Sequence, residues 1–239
     1  MFWYAAAMSA SLTARARVRA ELTREILAAA HTELASEGAA GLSLRAVARR
    51  LQMVPSALYR YFPNRDALLT ALIIDAYEAV GAAAQRADRA AAADPLARWM
   101  AVTAAVRLWG QEHPHEWALV YGSPVPGYRA PQDTVAAALE VTTVLGGIFA
   151  GAHPLGAPAP ASMPTAPPGL DAVLEPLQAA LLPGRGPEVL GAALLAWTQL
   201  FGMVSLELFG HYVGATTDFD AAFDYAMRTV ARVVGLPDA

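Results

Sequence analysis

The chain has 239 residues, of which 56% are hydrophobic and 16% are charged, and its formal net charge is −4. This length suffices for one large domain or two small ones, with a substantial apolar core. The absence of cysteine excludes disulfides and thiolate metal sites, which suits a reducing compartment such as the cytoplasm. Ala, Leu and Val dominate, and no strand-like alternation runs for more than a few residues, so the sequence predicts an all-α protein.

The charges are divided unevenly along the chain. Residues 1–65 hold nine arginines and four glutamates, a net charge of +5, while the remainder carries −9. A basic segment on an acidic body is typical of a protein whose one end meets a polyanion, although a solvated charged face explains the same pattern. Residues 1–19 are expected to form a disordered arm, in which Arg15, Arg17 and Arg19 either reach DNA or serve only as a soluble lead-in.

The segment that follows predicts three packed helices. A first helix is expected from Val18 to Glu37, with Gly38 ending it. A second begins after Ser43, whose hydroxyl is placed to cap it. Apolar residues recur in it at helical spacing and the arginines fall on the other face; the apolar residues are Leu44, Val47, Ala48 and Leu51.

A third, short helix is expected over Pro55–Tyr61, with its proline at a helix-start position. Pro63 ends it, and Asn64 caps a long helix that begins at Arg65. Two short helices joined by a tight turn, apolar inside and basic outside, are typical of a helix-turn-helix. Many small helical proteins contain this turn without touching DNA.

The string Leu58-Tyr59-Arg60-Tyr61-Phe62-Pro63-Asn64-Arg65 resembles the end of the recognition helix in the TetR family of bacterial transcriptional repressors. The resemblance spans roughly Thr23 to Ala76. Tyr61 stands where the family usually has histidine, Arg65 where it has lysine, Gln52 where it has glycine and Val54 where it has serine or threonine. The resemblance implies that Ser43, Tyr59 and Arg65 hold the DNA backbone.

Outward side chains near the start of the short helix are candidates for reading bases. Arg60 can bind guanine with two hydrogen bonds, and Val54 and Pro55 can touch a thymine methyl group. The complete predicted DNA-binding set is Ser43, Arg45, Val54, Pro55, Ser56, Tyr59, Arg60, Tyr61 and Arg65.

Residues 20–64 are therefore expected to form a DNA-binding domain, and residues 65–239 a helical regulatory and dimerisation domain. Helices are predicted over Arg65–Ala91, from Pro95 to about His113, over His115–Tyr121 and over Pro131–Phe149. Residues 154–168 contain six prolines, which predicts an exposed, mobile loop.

Val189 to Leu206 is an uncharged run of 18 residues, the lower limit for a membrane span. Its polar residues and the absence of flanking basic clusters argue against a span. Its apolar residues step by four and three, which favours a dimer interface shared with a last helix, expected over Phe219–Val234. The predicted interface residues are Leu190, Leu194, Trp197, Phe201, Val204, Leu208, Phe223, Met227 and Val230.

The large aromatic residues of the second domain are either core or the lining of a pocket for an apolar ligand. The ligand-binding candidates are Trp99, Thr103, Trp109, His113, Trp117 and Tyr121. His113 and His115 could hold a metal, but Pro114 at a helix junction explains the stretch equally well, and no metal or cofactor is predicted. No HExxH, glycine-rich phosphate loop or nucleophile elbow is present, so no catalytic residue is assigned.

The sequence is therefore identified as a member of the TetR family. The expected function is that of a dimeric, ligand-responsive repressor in the cytoplasm. It would bind palindromic operator DNA and be released by a small molecule, apolar or aromatic, in its C-terminal domain. A helical small-molecule-binding or scaffold protein without DNA binding is the alternative.

Overall fold

The computed structural model describes residues 2–236, with side chains from residue 15 onward. This part of the chain contains eleven helices and no strand, which confirms the all-α prediction. The first four are α1 (Phe2–Gly41), α2 (Leu44–Arg50), α3 (Pro55–Leu58) and α4 (Arg65–Ala90). The others are α5 (Pro95–Glu112), α6 (Pro114–Tyr121), α7 (Thr134–Ala138), α8 (Glu140–Ala152), α9 (Leu170–Leu181), α10 (Pro187–Leu208) and α11 (Phe219–Val233).

Helix α1 is longer than predicted. It begins at Phe2 rather than Val18, so a helix occupies most of the segment for which a disordered arm was predicted; Met1 lies outside the described residues. Residues 2–17 contain no glycine or proline and are rich in alanine, which favours helix. The helical backbone is broken at Gly38, as predicted, where φ is +70°.

The chain divides into two compact units. The first unit comprises Met1–Asp75 and Ser123–Pro131, and the second comprises Ala76–Gly122 and Gln132–Ala239. The boundary between the units therefore falls inside α4, eleven residues after the predicted end of the first domain, and a loop after α6 belongs to the first unit.

In the first unit, α2 packs against α1 and α3. The core between these helices is apolar, with Ile26, Val47 and Leu58 fully buried. Asn64 caps α4 as predicted, since its Oδ1 accepts a hydrogen bond of 2.8 Å from the Ala67 N–H. The hydroxyls of Thr70, on α4, and Tyr128, in the loop after α6, are 2.9 Å apart and join these two segments.

In the second unit, α10 packs against α5, α6, α8, α9 and α11. By length and composition alone α4 and α10 could each cross a membrane. The contacts of α10 with five other helices, and its buried Leu190, Leu200 and Val204, are those of a core helix in a globular domain.

Two predictions for the middle of the second unit need correction. The helix expected over Pro131–Phe149 is two helices, α7 and α8, which meet at Leu139. Residues 154–168 contain no helix, as predicted, but they are anchored to the unit. Met163 is buried, and the Ala166 N–H donates a hydrogen bond of 3.1 Å to Glu188.

Candidate functional site

The turn between α2 and α3 fixes the direction in which α3 leaves the core. The Met53 N–H donates to the Ala48 carbonyl at 2.9 Å, and the Gln52 N–H donates to the Arg49 carbonyl at 3.1 Å. This pair of bonds is a Schellman motif, which ends a helix with one residue in the left-handed conformation. That residue is Gln52, with φ +54°, and no other non-glycine residue in the described chain has positive φ.

Helix α3 begins at Pro55, after an extended Val54. It is regular only as far as Leu58, which makes it three residues shorter than predicted. The reason lies in the next two hydrogen bonds, because the N–H groups of Arg60 and Tyr61 donate to carbonyls only three residues back, at 3.3 and 2.9 Å. The chain therefore tightens into turns after Leu58.

Six of the nine predicted DNA-binding residues lie at the surface of the first unit. Val54 is 66% exposed and Tyr59 45% exposed, whereas Leu58 between them is fully buried. The six exposed residues are Arg45, Val54, Pro55, Ser56, Tyr59 and Arg60. On and next to α3, this row presents one arginine, two hydroxyl groups and two apolar residues, the kinds of groups that contact base edges and phosphates along a major groove.

Ser43 and Tyr61 are half-buried. The hydroxyl of Ser43 makes no capping hydrogen bond, so its predicted role as a side-chain cap is wrong; its carbonyl instead accepts the Val47 N–H at 3.0 Å. The guanidinium of Arg19 lies 5.1 Å from the centre of the Tyr61 ring, a cation–π contact. Arg19, which the sequence placed in a disordered arm, is thus held beside the end of α3.

Arg65 has partners within the protein. Its guanidinium donates to the Ala39 carbonyl at 2.6 Å and the Leu42 carbonyl at 3.2 Å. These carbonyls lie at and just beyond the end of α1, where a cation is favoured by the helix dipole. Arg65 therefore ties α1 to the start of α4, and the DNA-backbone contact predicted for it would compete with these bonds.

The second unit contains a cavity of about 500 Å³. Its walls come from α4, α6, α8, α9 and α10 and from the α7–α8 junction. The lining residues are Tyr77, Val120, Tyr121, Gly122, Ala138, Leu139, Thr142, Leu145, Gly146, Phe149, Leu177, Leu181, Leu182, Ala193, Leu194 and Trp197. None of these lining residues is charged, so the cavity suits an apolar guest.

Two tyrosines, Tyr77 and Tyr121, bring hydroxyl groups to this lining, as does Thr142. The Tyr77 hydroxyl donates to the Val120 carbonyl at 3.2 Å, and its ring meets the Tyr121 ring edge to face. Burial raises the pKa of both tyrosines above the ordinary value, most strongly for Tyr121. Both hydroxyls are therefore neutral at physiological pH.

Comparison with known proteins covers both units. One family profile, described as bacterial regulatory proteins of the tetR family, matches residues 26–72, and another, described as tetracyclin repressor-like, C-terminal domain, matches residues 99–230. An HTH-type transcriptional regulator of Mycobacterium tuberculosis is 38% identical over 229 residues, which cover 92% of this chain and 95% of that protein. The chain belongs to the TetR family of bacterial transcriptional regulators. A regulator of Mycobacterium bovis matches to the same extent.

Solved structures of related proteins have the same fold as this TetR-family regulator. The crystal structure of the regulatory protein SCO4313 matches with a TM-score of 0.75 and 32% identity, covering 90% of this chain and 97% of that one. A Rhodococcus protein of unknown function matches with a TM-score of 0.66 and 27% identity, covering 89% of this chain and 94% of that one. The helix-turn-helix and the helical C-terminal domain therefore form one family architecture.

The predicted ligand-binding residues of this regulator are mostly core. Trp99 and Trp117 are fully buried, and their indole N–H groups donate to the Met227 carbonyl at 2.9 Å and to the Ser205 hydroxyl at 3.0 Å. Thr103 is also fully buried, and it does not line the large cavity. Of the predicted set, only Tyr121 does.

The two remaining candidates form a pair of their own. The His113 ring stacks on the Trp109 ring with centres 5.1 Å apart, and its Nδ1 is 3.0 Å from the Trp109 carbonyl. Neither residue lines the cavity. Tyr77, on α4, does line the cavity, although it was not among the residues predicted from sequence.

Most of the residues predicted for a dimer interface lie inside the second unit. Six of its nine residues are buried in the unit's own core: Leu190, Phe201, Val204, Phe223, Met227 and Val230. Leu208 packs against the same core, while Leu194 and Trp197 line the cavity. The residues with 4-3-4 spacing therefore lie on the inner face of α10. Periodicity could not show this, because α10 has apolar residues on all sides and the pattern does not reveal which side is covered by the same chain.

Proposed function

We propose that this TetR-family regulator is a ligand-responsive repressor. It binds palindromic operator DNA as a dimer and is released when a small molecule occupies the cavity of the second unit. It works in the cytoplasm and needs no cofactor or catalytic group of its own.

The exposed row on and around α3 carries the DNA-binding part of the proposal. Val54, Pro55 and Ser56 face solvent at the start of a helix that is anchored by the buried Leu58. Arg60 follows with its side chain exposed and makes no salt bridge in the described chain. In the proposed complex each subunit places α3 in a major groove, and the two copies of α3 lie one helical turn of DNA apart, about 34–36 Å, or a multiple of it.

The proposed dimer forms through a second row that runs along α10 to its C-cap residue Phe209 and is here called the α10 outer stripe: Leu195, Thr198, Gly202, Leu206 and Phe209. Leu195, Leu206 and Phe209 are 47%, 41% and 46% exposed, which is unusual for large apolar side chains in a regular row. At about 100° per residue, this stripe lies roughly 120° round the helix from the row predicted from sequence. A Cβ on Gly202 would meet no atom within 4 Å, so a partner helix could approach closely there.

The switch would act through α4. Tyr77 lines the cavity on the helix that also runs into the first unit, and its hydroxyl bonds to the end of α6. A guest that fits better when Tyr77 is displaced would favour a different position of α4, and through it a different spacing between the two copies of α3 in the dimer.

The DNA-binding part is tested by first selecting bound fragments from genomic DNA and then measuring operator affinity. Arg60→Ala should change the preference at one operator position by about 1–3 kcal/mol, because a bidentate arginine–guanine contact is lost. Arg89→Ala, which removes an exposed arginine from the last turn of α4, is the matched control and should leave the preference unchanged.

A uniform loss of affinity over all sequences in the Arg60 variant would instead assign that residue to the phosphate backbone. If the parent protein selects no DNA fragment, the proposal that it is a repressor is refuted. The second candidate, an apolar-ligand carrier or scaffold, would then be favoured by the cavity alone.

A further inference from the structure

We infer that the cavity of the second unit takes an uncharged, largely apolar molecule with one hydrogen-bond acceptor, which the Tyr121 hydroxyl binds. The inference deepens the proposed function, since it names the chemical class of the effector for the same site.

The volume and the walls of the cavity limit the size and the polarity of the molecule that it can bind. A cavity of about 500 Å³ lies within the range of drug-sized ligand sites, roughly 300–1,000 Å³. Most of its lining is aliphatic or aromatic, from Leu139, Leu145, Phe149 and Leu194 to Trp197. A guest of matching size would therefore gain most of its affinity from apolar burial.

The absence of charged residues from the described lining limits the charge of the molecule that the cavity can bind. Arginine, histidine, aspartate and glutamate are all missing from the described lining. A carboxylate, phosphate or ammonium group inside would lose its hydration without gaining an ionic partner, which is far more costly than burying a neutral polar group. Anionic lipids and cationic drugs are thus disfavoured relative to neutral molecules of the same size.

The two tyrosines determine which hydrogen-bonding group of the bound molecule the cavity favours. The hydroxyl of Tyr77 is already committed to the Val120 carbonyl. The Tyr121 side chain lines the same space, packed against Trp117 and Phe201 at ring-centre distances of 4.6 and 4.5 Å, yet no hydrogen bond joins its hydroxyl to the described chain. Burial keeps this hydroxyl protonated, so it has an O–H to donate.

A ketone, ester, ether or amide oxygen in the guest would accept this hydrogen bond. The aromatic contacts hold the Tyr121 ring on three sides, by Tyr77, Trp117 and Phe201, so the donor is positioned before the guest arrives. Entry is across an apolar rim, since Leu139 and Leu194 line the cavity and are 37% and 45% exposed.

The test is calorimetric titration of the full-length protein, without DNA, with three probes of nearly equal size. Valerophenone is neutral and has one acceptor, pentylbenzene has none, and 5-phenylpentanoate is an anion at a pH where its acid is fully ionised. Valerophenone should bind tightest, and the anion weaker by about tenfold or more.

Two pairs of variants test whether the probe accepts a hydrogen bond from Tyr121 and whether it occupies the cavity. Tyr121→Phe should weaken valerophenone by about 2- to 13-fold, the range of one net hydrogen bond, and leave pentylbenzene unchanged. Tyr77→Phe should not discriminate between these two probes. Thr142→Trp should block all probes by filling the cavity, whereas Thr143→Trp, at the exposed neighbouring position, should leave binding as in the parent.

The inference is overturned if the anion binds tightest, if Tyr121→Phe weakens pentylbenzene as much as valerophenone, if Thr142→Trp binds normally, or if none of the probes binds the parent. Its failure is distinct from failure of the proposed function, because operator affinity is measured separately. Probes that bind as expected but never release DNA would count against the switch and leave the ligand class intact.

Discussion

The turn of the helix-turn-helix stores backbone strain that one substitution should relieve. Gln52 adopts φ +54° at the position of a Schellman motif that usually holds glycine. A residue with a Cβ in this left-handed conformation costs roughly 1–2 kcal/mol, whereas glycine adopts it freely but loses roughly 0.5–1 kcal/mol more conformational entropy on folding. Gln52→Gly should therefore raise the free energy of unfolding by about 0.5–1 kcal/mol.

The substitution breaks no hydrogen bond found in the structure. The Gln52 side chain is exposed, and the backbone bonds of its own N–H to Arg49 and of Met53 to Ala48 are available to glycine as well. For a chain of this length the gain corresponds to a rise in Tm of about 1–4 °C. Thermal and urea unfolding, followed by circular dichroism, measure both quantities.

Two control variants separate strain from other effects. Gln52→Ala removes the same side chain but keeps the Cβ, so it should show no comparable gain. Gly38→Ala should show strain in the other direction, because φ +70° and ψ 172° place Gly38 in a region that is essentially restricted to glycine, and the added Cβ would meet no atom within 4 Å. This variant should lose roughly 1–3 kcal/mol through backbone strain alone. The reasoning is refuted if Gln52→Gly is no more stable than Gln52→Ala.

Two further predictions concern the second unit. Leu206→Asp should convert the dimer to a monomer in light scattering, whereas Leu108→Asp, an exposed leucine on α5 outside the stripe, should leave it dimeric. Burial and the nearby Glu78 raise the pKa of Glu140, so the folded state binds this proton more tightly and stability falls as pH rises through that pKa. Glu140→Gln should thus stabilise the protein at neutral pH, with no gain below pH about 4.3; an equal gain at both pH values, or in the exposed Glu175→Gln control, would contradict this.

The helix-turn-helix could be predicted from sequence because its signals are local. Pro55 starts α3, Asn64 caps α4 and Gly38 breaks α1, and each of these acts within a few residues of itself. Local signals also misled at two points. Ser43 is a residue type that often caps a helix, but its hydroxyl makes no capping hydrogen bond. The end of α3 depends on backbone hydrogen bonds from Arg60 and Tyr61, and no residue type there indicates them.

Helix α9 was missed, although Leu170, Leu174, Leu177 and Leu181 recur at helical spacing along it. The helix carries Pro176 in its interior, which removes one backbone hydrogen bond and ordinarily argues against a helix. Packing against α8 and α10 outweighs that cost here. This compensation is tertiary, so residue pattern alone could not reveal it.

The cavity and the dimer face could not be read from sequence for a related reason. Helix α10 has apolar residues on several sides, and each side meets a different environment: Leu190 faces the core, Trp197 the cavity and Leu206 the solvent. Hydrophobicity indicates that a side chain is favoured to be buried, but it does not indicate whether its own chain, a ligand or a second subunit buries it. Only the packing of α5, α6, α8, α9 and α11 around this helix separates the three faces, and the α10 outer stripe that this packing leaves exposed is the candidate surface for a second subunit.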